Sequence, residues 1–122
     1  MPETSVQLVD NEYISVELDN NLNLEAAKNV TQQVIQFGHQ LSVSGKKIKI
    51  LCNISGSTNV DQGTRNYISE VMKELPYDKI GAYGQKSLMK NIANLTLMAT
   101  GVYEKARMFN SKDEALLWIN TA

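Results

Sequence analysis

Residues 47–64, KIKILCNISGSTNVDQGT, decide how the rest of the chain is read. Ile48, Ile50, Leu51, Cys52 and Ile54 are too continuously apolar for a strand with one wet face, so they predict a central parallel strand with helices over it. A small polar loop follows, and Asp61 then predicts the N-cap of a helix, where its carboxylate accepts from first-turn N–H groups. A strand that opens through a short loop onto a helix start is where an α/β sheet usually meets a ligand or partner, because backbone N–H groups and the positive helix end lie exposed there. The functional end of the molecule is therefore expected here, without its function being named.

Outward from this joint, the pattern builds a complete sheet. On the N-terminal side, Val6 and Leu8, then Tyr13, Ile14, Val16 and Leu18, partly alternate around Asp10-Asn11, which predicts an antiparallel hairpin. From Leu24 the period changes: Ala27, Val30, Val34, Phe37 and Leu41 predict a long helix, with Asn23 as N-cap and Gly45 as stop. On the C-terminal side, Tyr67, Ile68, Val71, Met72 and Leu75 form the expected buried face of the helix that Asp61 opens, and Pro76 prevents its continuation. A strand is predicted over Lys79–Tyr83, broken by Gly84, then a helix carrying Leu88, Met89, Ile92, Ala93 and Leu95, and a last strand over Lys105–Phe109. Ser111 and Glu114 form a capping box that opens the final helix, whose Ala115, Trp118 and Ile119 are expected to face inward, with Trp118 mostly buried. The expected architecture is an α/β domain: a mixed sheet, antiparallel at the hairpin and mainly parallel after it, with about four helices.

Composition narrows the function classes. A chain of 122 residues fits one domain and buries a core without disulfides or metals. Twelve basic and thirteen acidic residues nearly cancel, with no block of like charge, so no nucleic-acid or anionic-membrane footprint is expected. The N-terminus lacks a signal-peptide pattern and no segment approaches the ~20 apolar residues of a membrane span, so a cytoplasmic location is expected. Cys52 is the single cysteine and is expected to be a small buried thiol. His39, the single histidine, falls on the polar side of its helix without a partner at metal-ligand spacing. No cofactor or metal set, nucleophile–base pair or carboxylate pair is read from the sequence, and no enzyme activity is expected.

DKIGAYGQKSLMKNIANL and ARMFNSKDEALLWI, taken with the order of elements, resemble the SpoIIAA-like (STAS-like) family of small bacterial proteins. Gly84, Lys86, Arg107, Phe109, Ala115, Trp118 and Ile119 stand where that family shows a strand ending in glycine, a basic helix start, an Arg-x-Phe strand and an Ala-x-x-Trp-aliphatic helix. The resemblance implies a regulatory protein–protein interaction module. It also implies a docking site: anti-sigma-factor antagonists of the wider group carry Asp-Leu-Ser at the strand end and Asp-Ser-Ser-Gly at the helix start, with a serine there phosphorylated. Here Asn53, Ile54 and Ser55 occupy the first pattern and Asp61, Gln62, Gly63 and Thr64 the second. Gln62 and Gly63 offer no hydroxyl, so the phosphoserine switch is not expected.

The expected partner-binding residues are Ser55, Ser57, Thr58, Asn59, Asp61 and Thr64. An alternative surface comprises Lys86 and Lys90, four apart on one helix side, with Leu97 and Met98. The alternative function is a carrier or sensor of a small apolar ligand such as a lipid, with the Leu95–Val102 segment as pocket wall. Symmetric pairing into a homodimer is also compatible with so small a domain.

Overall fold

The structure is a computed structural model that describes residues 5–18, 23–55, 61–84 and 104–121. Its elements run β1 (Ser5–Val9), β2 (Tyr13–Glu17), α1 (Leu24–Val43), β3 (Lys49–Asn53), α2 (Gln62–Glu74), β4 (Lys79–Tyr83), β5 (Ala106–Phe109) and α3 (Lys112–Ile119). The five strands form one sheet in chain order, β1-β2-β3-β4-β5. Among the described residues only the β1–β2 pair is antiparallel. The helix expected around Leu88–Leu95 lies outside the described residues.

Local chemistry accounts for the element ends. Asp10 and Asn11 both adopt positive φ, 52° and 54°, and the Glu12 N–H closes on the Val9 carbonyl at 2.9 Å. Two such residues at the centre of the Val9–Glu12 turn match the twist of the flanking strands. Asn23 caps α1 by accepting from the Ala26 N–H at 2.8 Å, and the helix ends two residues before Gly45. Ser111 caps α3 by accepting from the Glu114 N–H at 3.2 Å, half of the expected capping box. β3 starts one residue later than Ile48, whose N–H donates instead to the Asp78 carboxylate at 2.7 Å.

Side-chain alternation along the strands divides the core in two. Val6, Ile14, Val16 and Ile50 face α1 and join Val34, Leu41 and Tyr77 in the larger cluster. Leu51 faces the other way, where Ala115 and Ile119 of α3 cover it and Tyr83, Phe109 and Trp118 pack around them. A Cβ at Gly81 would lie 3.0 Å from Ile119 Cγ2 and 3.1 Å from the Ala115 carbonyl, so the absence of a side chain lets α3 rest directly on β4. Cys52 points to the α1 side and packs against the larger cluster.

Two burial expectations change. Tyr67, Ile68, Val71, Met72 and Leu75 of α2 are half-buried, and Thr64 is the helix's fully buried residue. Among the described residues α2 packs on α1, and a helix laid on another helix covers a narrower stripe than one laid flat on a sheet. Trp118 is also half-buried, lying at the rim of the smaller cluster with its ring centre 5.5 Å from that of Phe109.

Candidate functional site

The ends of β2, β3 and β4 meet at one end of the sheet, from which the chain leaving β3 leads on to α2. Leu18 N–H donates to the Asn53 carbonyl at 3.1 Å and Ile54 N–H to the Tyr83 carbonyl at 2.9 Å, so the three strand tips are held together. The Asn53 side chain then turns the chain: its Oδ1 accepts from the Ser55 N–H at 3.0 Å and the Ser55 hydroxyl at 2.8 Å. Facing it, Gly84 has φ +111°, and a Cβ there would stand 2.6 Å from the Ser55 nitrogen. The β3 and β4 exits are thus in backbone contact.

Asp61 opens α2 as expected. Its Oδ1 accepts from the Thr64 N–H at 3.1 Å and its carbonyl accepts from Arg65 N–H at 3.0 Å. The Thr64 hydroxyl and N–H beside the carboxylate hold Asp61 below the usual carboxylate range. Of these two neighbours, only the N–H completes a hydrogen bond of good geometry. Thr64 is 0 % exposed, and its Oγ1 has no hydrogen-bond partner among the described residues.

Two predictions follow from this helix start. Asp61→Ala should lower stability by about 1 kcal/mol, read from urea midpoints. Because the carboxyl's folded pKa is depressed, the capping contribution is present above its unfolded pKa and is lost as pH falls through the lower folded value. The wild type and the variant should therefore converge in strongly acidic buffer, and a midpoint unchanged at neutral pH would show that Asp61 does not cap α2. Thr64→Val keeps the shape but removes the hydroxyl that helps to hold the Asp61 carboxylate, and should lower stability by about 1 kcal/mol. An unchanged or higher midpoint would mean that the hydroxyl contributes nothing to the cap.

The surroundings of the site are weakly reactive. Cys52 is half-buried rather than fully buried, and desolvation pushes its thiol up to about 12, so it stays protonated at neutral pH. Burial also raises Tyr83, with Glu17 adding to the effect from the same row of the sheet. Among the described residues no group of three or more His, Cys, Asp or Glu side chains is placed to hold a metal. No helix of the described residues is long and apolar enough to cross a membrane.

Of the expected contact residues, the structure joins Asp61 to Thr64 and sets Ser55 against Gly84. Ser57, Thr58 and Asn59, and the whole alternative surface of Lys86, Lys90, Leu97 and Met98, lie outside the described residues. Sequence reasoning missed Asn53 as the turn-forming residue, although an Asn two places before a Ser at a strand end carries that signal. It read Gly84 only as a strand break.

A family model described as a domain of unknown function, DUF7793, matches residues 13–122. The chain belongs to the DUF7793 family. No curated protein matches it. Among solved structures, this DUF7793 chain is similar to an uncharacterised protein of the DUF3478 family with a SpoIIAA-like fold from Shewanella loihica, at 13% identity over 96% of this chain and 92% of that one, with a TM-score of 0.69. It is also similar to the anti-sigma factor antagonist SpoIIAA in its unphosphorylated form, at 13% identity over 98% of this chain and 100% of that one, with a TM-score of 0.64. The phosphorylated form of SpoIIAA, a Bacillus cell fate determinant, matches at 11% identity over 97% of this chain and 100% of that one, with a TM-score of 0.56. At such identities the likeness is one of fold, and the DUF7793 chain has the SpoIIAA-like fold that its sequence resembles.

Proposed function

We propose that this DUF7793 chain is a single, non-catalytic regulatory domain of the STAS-like type. Its protein partner docks on the Ser55–Thr64 end of the sheet, and docking is not switched by phosphorylation at the helix start. The burial of Thr64 carries the reading. SpoIIAA exists in phosphorylated and unphosphorylated forms, whereas here Gln62 and Gly63 offer no acceptor and the next hydroxyl, on Thr64, is 0 % exposed. A kinase would have to unwind the first turn of α2 and displace the Asp61 cap to reach it. The joined strand tips and capped helix support a preformed docking end, and the protonated Cys52 thiol and capping Asp61 carboxylate support a non-catalytic role.

Two measurements test this together. Intact mass of the protein isolated from its native cell should show no phosphoryl adduct. In affinity capture from the same cell, a folded Asn59→Ala/Asp61→Ala variant should recover less partner than wild type. A phosphate on Thr64 would overturn the switch-free reading, and full recovery by the variant would move docking to another surface. A second reading, carriage of a small apolar ligand along the Leu95–Val102 segment, falls outside the described residues; a groove of about 250 Å³, open to solvent and lined by Thr31, Ile35, Val71, Glu74, Leu75 and Pro76, is another place where such a ligand would lie. Native mass spectrometry of the purified protein would detect a retained lipid.

A further inference from the structure

At the end of the sheet opposite Ser55, Lys49 begins β3 and Lys79 begins β4, and the two are register partners. Alternation places both on the α3 side, since Leu51 and Gly81, two residues on, lie under Ala115 and Ile119. Lys49 Nζ donates to Asn120 Oδ1 at 3.0 Å. Lys79 Nζ donates to the Trp118 carbonyl at 3.2 Å, to the Thr121 carbonyl at 3.0 Å and to the Thr121 hydroxyl. Both ammonium groups thus gather at the negative end of α3, on neutral oxygens. Among the described residues the ion pair formed is Lys46–Glu12, which involves neither of them. Partial desolvation and the positive charges of Lys47, Arg107 and Lys49 lower the pKa of Lys79, so these like charges act on one another. Lys79 Nζ and the Arg107 guanidinium stand 4.9 and 5.0 Å from the centre of the Trp118 ring. On the same helix turn Leu117 is 73% exposed.

We propose that this corner, with Lys79 over the Trp118 ring, Lys49 at the end of α3 and Lys47 close to Lys79, is a second docking surface that takes an acidic segment of a protein partner bearing an apolar side chain. Carboxylates of such a segment would relieve the mutual repulsion of the lysines, and its apolar side chain would cover Trp118 and Leu117. A free phosphate would use the charges and leave the apolar surface wet. A nucleic acid or anionic membrane favours a broad basic face, and this chain's net charge is −1. The corner lies at the opposite end of the sheet from Ser55 and does not depend on the reading given to the Ser55–Thr64 site.

Trp118 is the single tryptophan of the chain, so its emission reports on the corner directly. The full chain is titrated with a Glu/Leu peptide, with its Gln/Leu analogue, with inorganic phosphate and with vesicles containing phosphatidylglycerol. The acidic peptide should change Trp118 emission saturably, bind less tightly as salt rises, and bind about tenfold more weakly to Lys47→Glu/Lys49→Glu. The Gln/Leu analogue, phosphate and vesicles should give no saturable change, and Asp61→Ala should bind the acidic peptide like wild type. Should circular dichroism show the double variant unfolded, Lys47→Glu alone, at an exposed position outside any element, supplies the comparison through a smaller loss in the same direction. Absence of a saturable response to the acidic peptide, equal binding by the charge-reversed protein, or equally lysine-dependent binding of phosphate or vesicles would overturn the proposal.

Discussion

Gly84→Ala is expected to destabilise the protein by about 3 kcal/mol or more and to weaken partner docking with it. Two costs combine. At φ +111° an L side chain meets a backbone conformation it rarely adopts, a strain of about 1 to 3 kcal/mol. The added Cβ would also lie 2.6 Å from the Ser55 nitrogen and 2.9 Å from its Cα. Because these are backbone atoms, no flexible side-chain end can swing aside, and overpacking of this kind adds about 1 to 3 kcal/mol. Relief requires the tips of β3 and β4 to separate, which breaks the Ile54-to-Tyr83 hydrogen bond beside the candidate site. Urea unfolding of the variant should show a lower midpoint with an unchanged slope. A midpoint equal to that of wild type would show that the two tips do not touch in solution.

Leu51→Ala should cost about 3 kcal/mol, within the ordinary range for deleting a buried leucine side chain. Leu51 is 1% exposed on the central strand and lies beneath Ala115 and Ile119, each nearly inaccessible. α3 has eight residues, too short to hold itself as an isolated helix, so it depends on this contact. Loss of Leu51 should therefore loosen α3 before the rest of the sheet, with faster amide exchange at Leu116–Asn120 than at α1. A loss below about 1 kcal/mol would indicate that the site collapses around the smaller side chain without a cavity.

Where local chemistry decides, the sequence was legible. The Asp10-Asn11 turn, the Asn23, Asp61 and Ser111 caps and the unbroken apolar run of β3 each have a mechanism contained within a few residues, and each stands where it was expected. The candidate site was only half legible. Asp61 and Thr64 are neighbours on one turn, so their hydrogen bond follows from spacing. The contact of Ser55 with Gly84 joins residues brought together only by strand pairing, and no local pattern announces it. The burial of Thr64 was hidden for a related reason: a threonine in a first helical turn reads as a polar cap, and only packing encloses it. Apolar periodicity identified the inward face of α2 but overestimated its depth, because periodicity gives direction and the supporting surface sets burial. The basic corner is scattered over Lys47, Lys49, Lys79 and Arg107, so no run of charge reveals it.

The most direct test of docking at the Ser55–Thr64 end is site-specific cross-linking inside the native cell. A photoreactive residue replaces exposed Gln62 in the first turn of α2, and a matched control carries it at exposed Asn29, on α1. The account predicts that irradiation at position 62 gives one dominant adduct with a protein partner, absent from the Asn29 control and lost in Gly84→Ala protein. Equal yield from both positions, or no adduct at position 62 from a folded protein that still co-purifies with its partner, would contradict it.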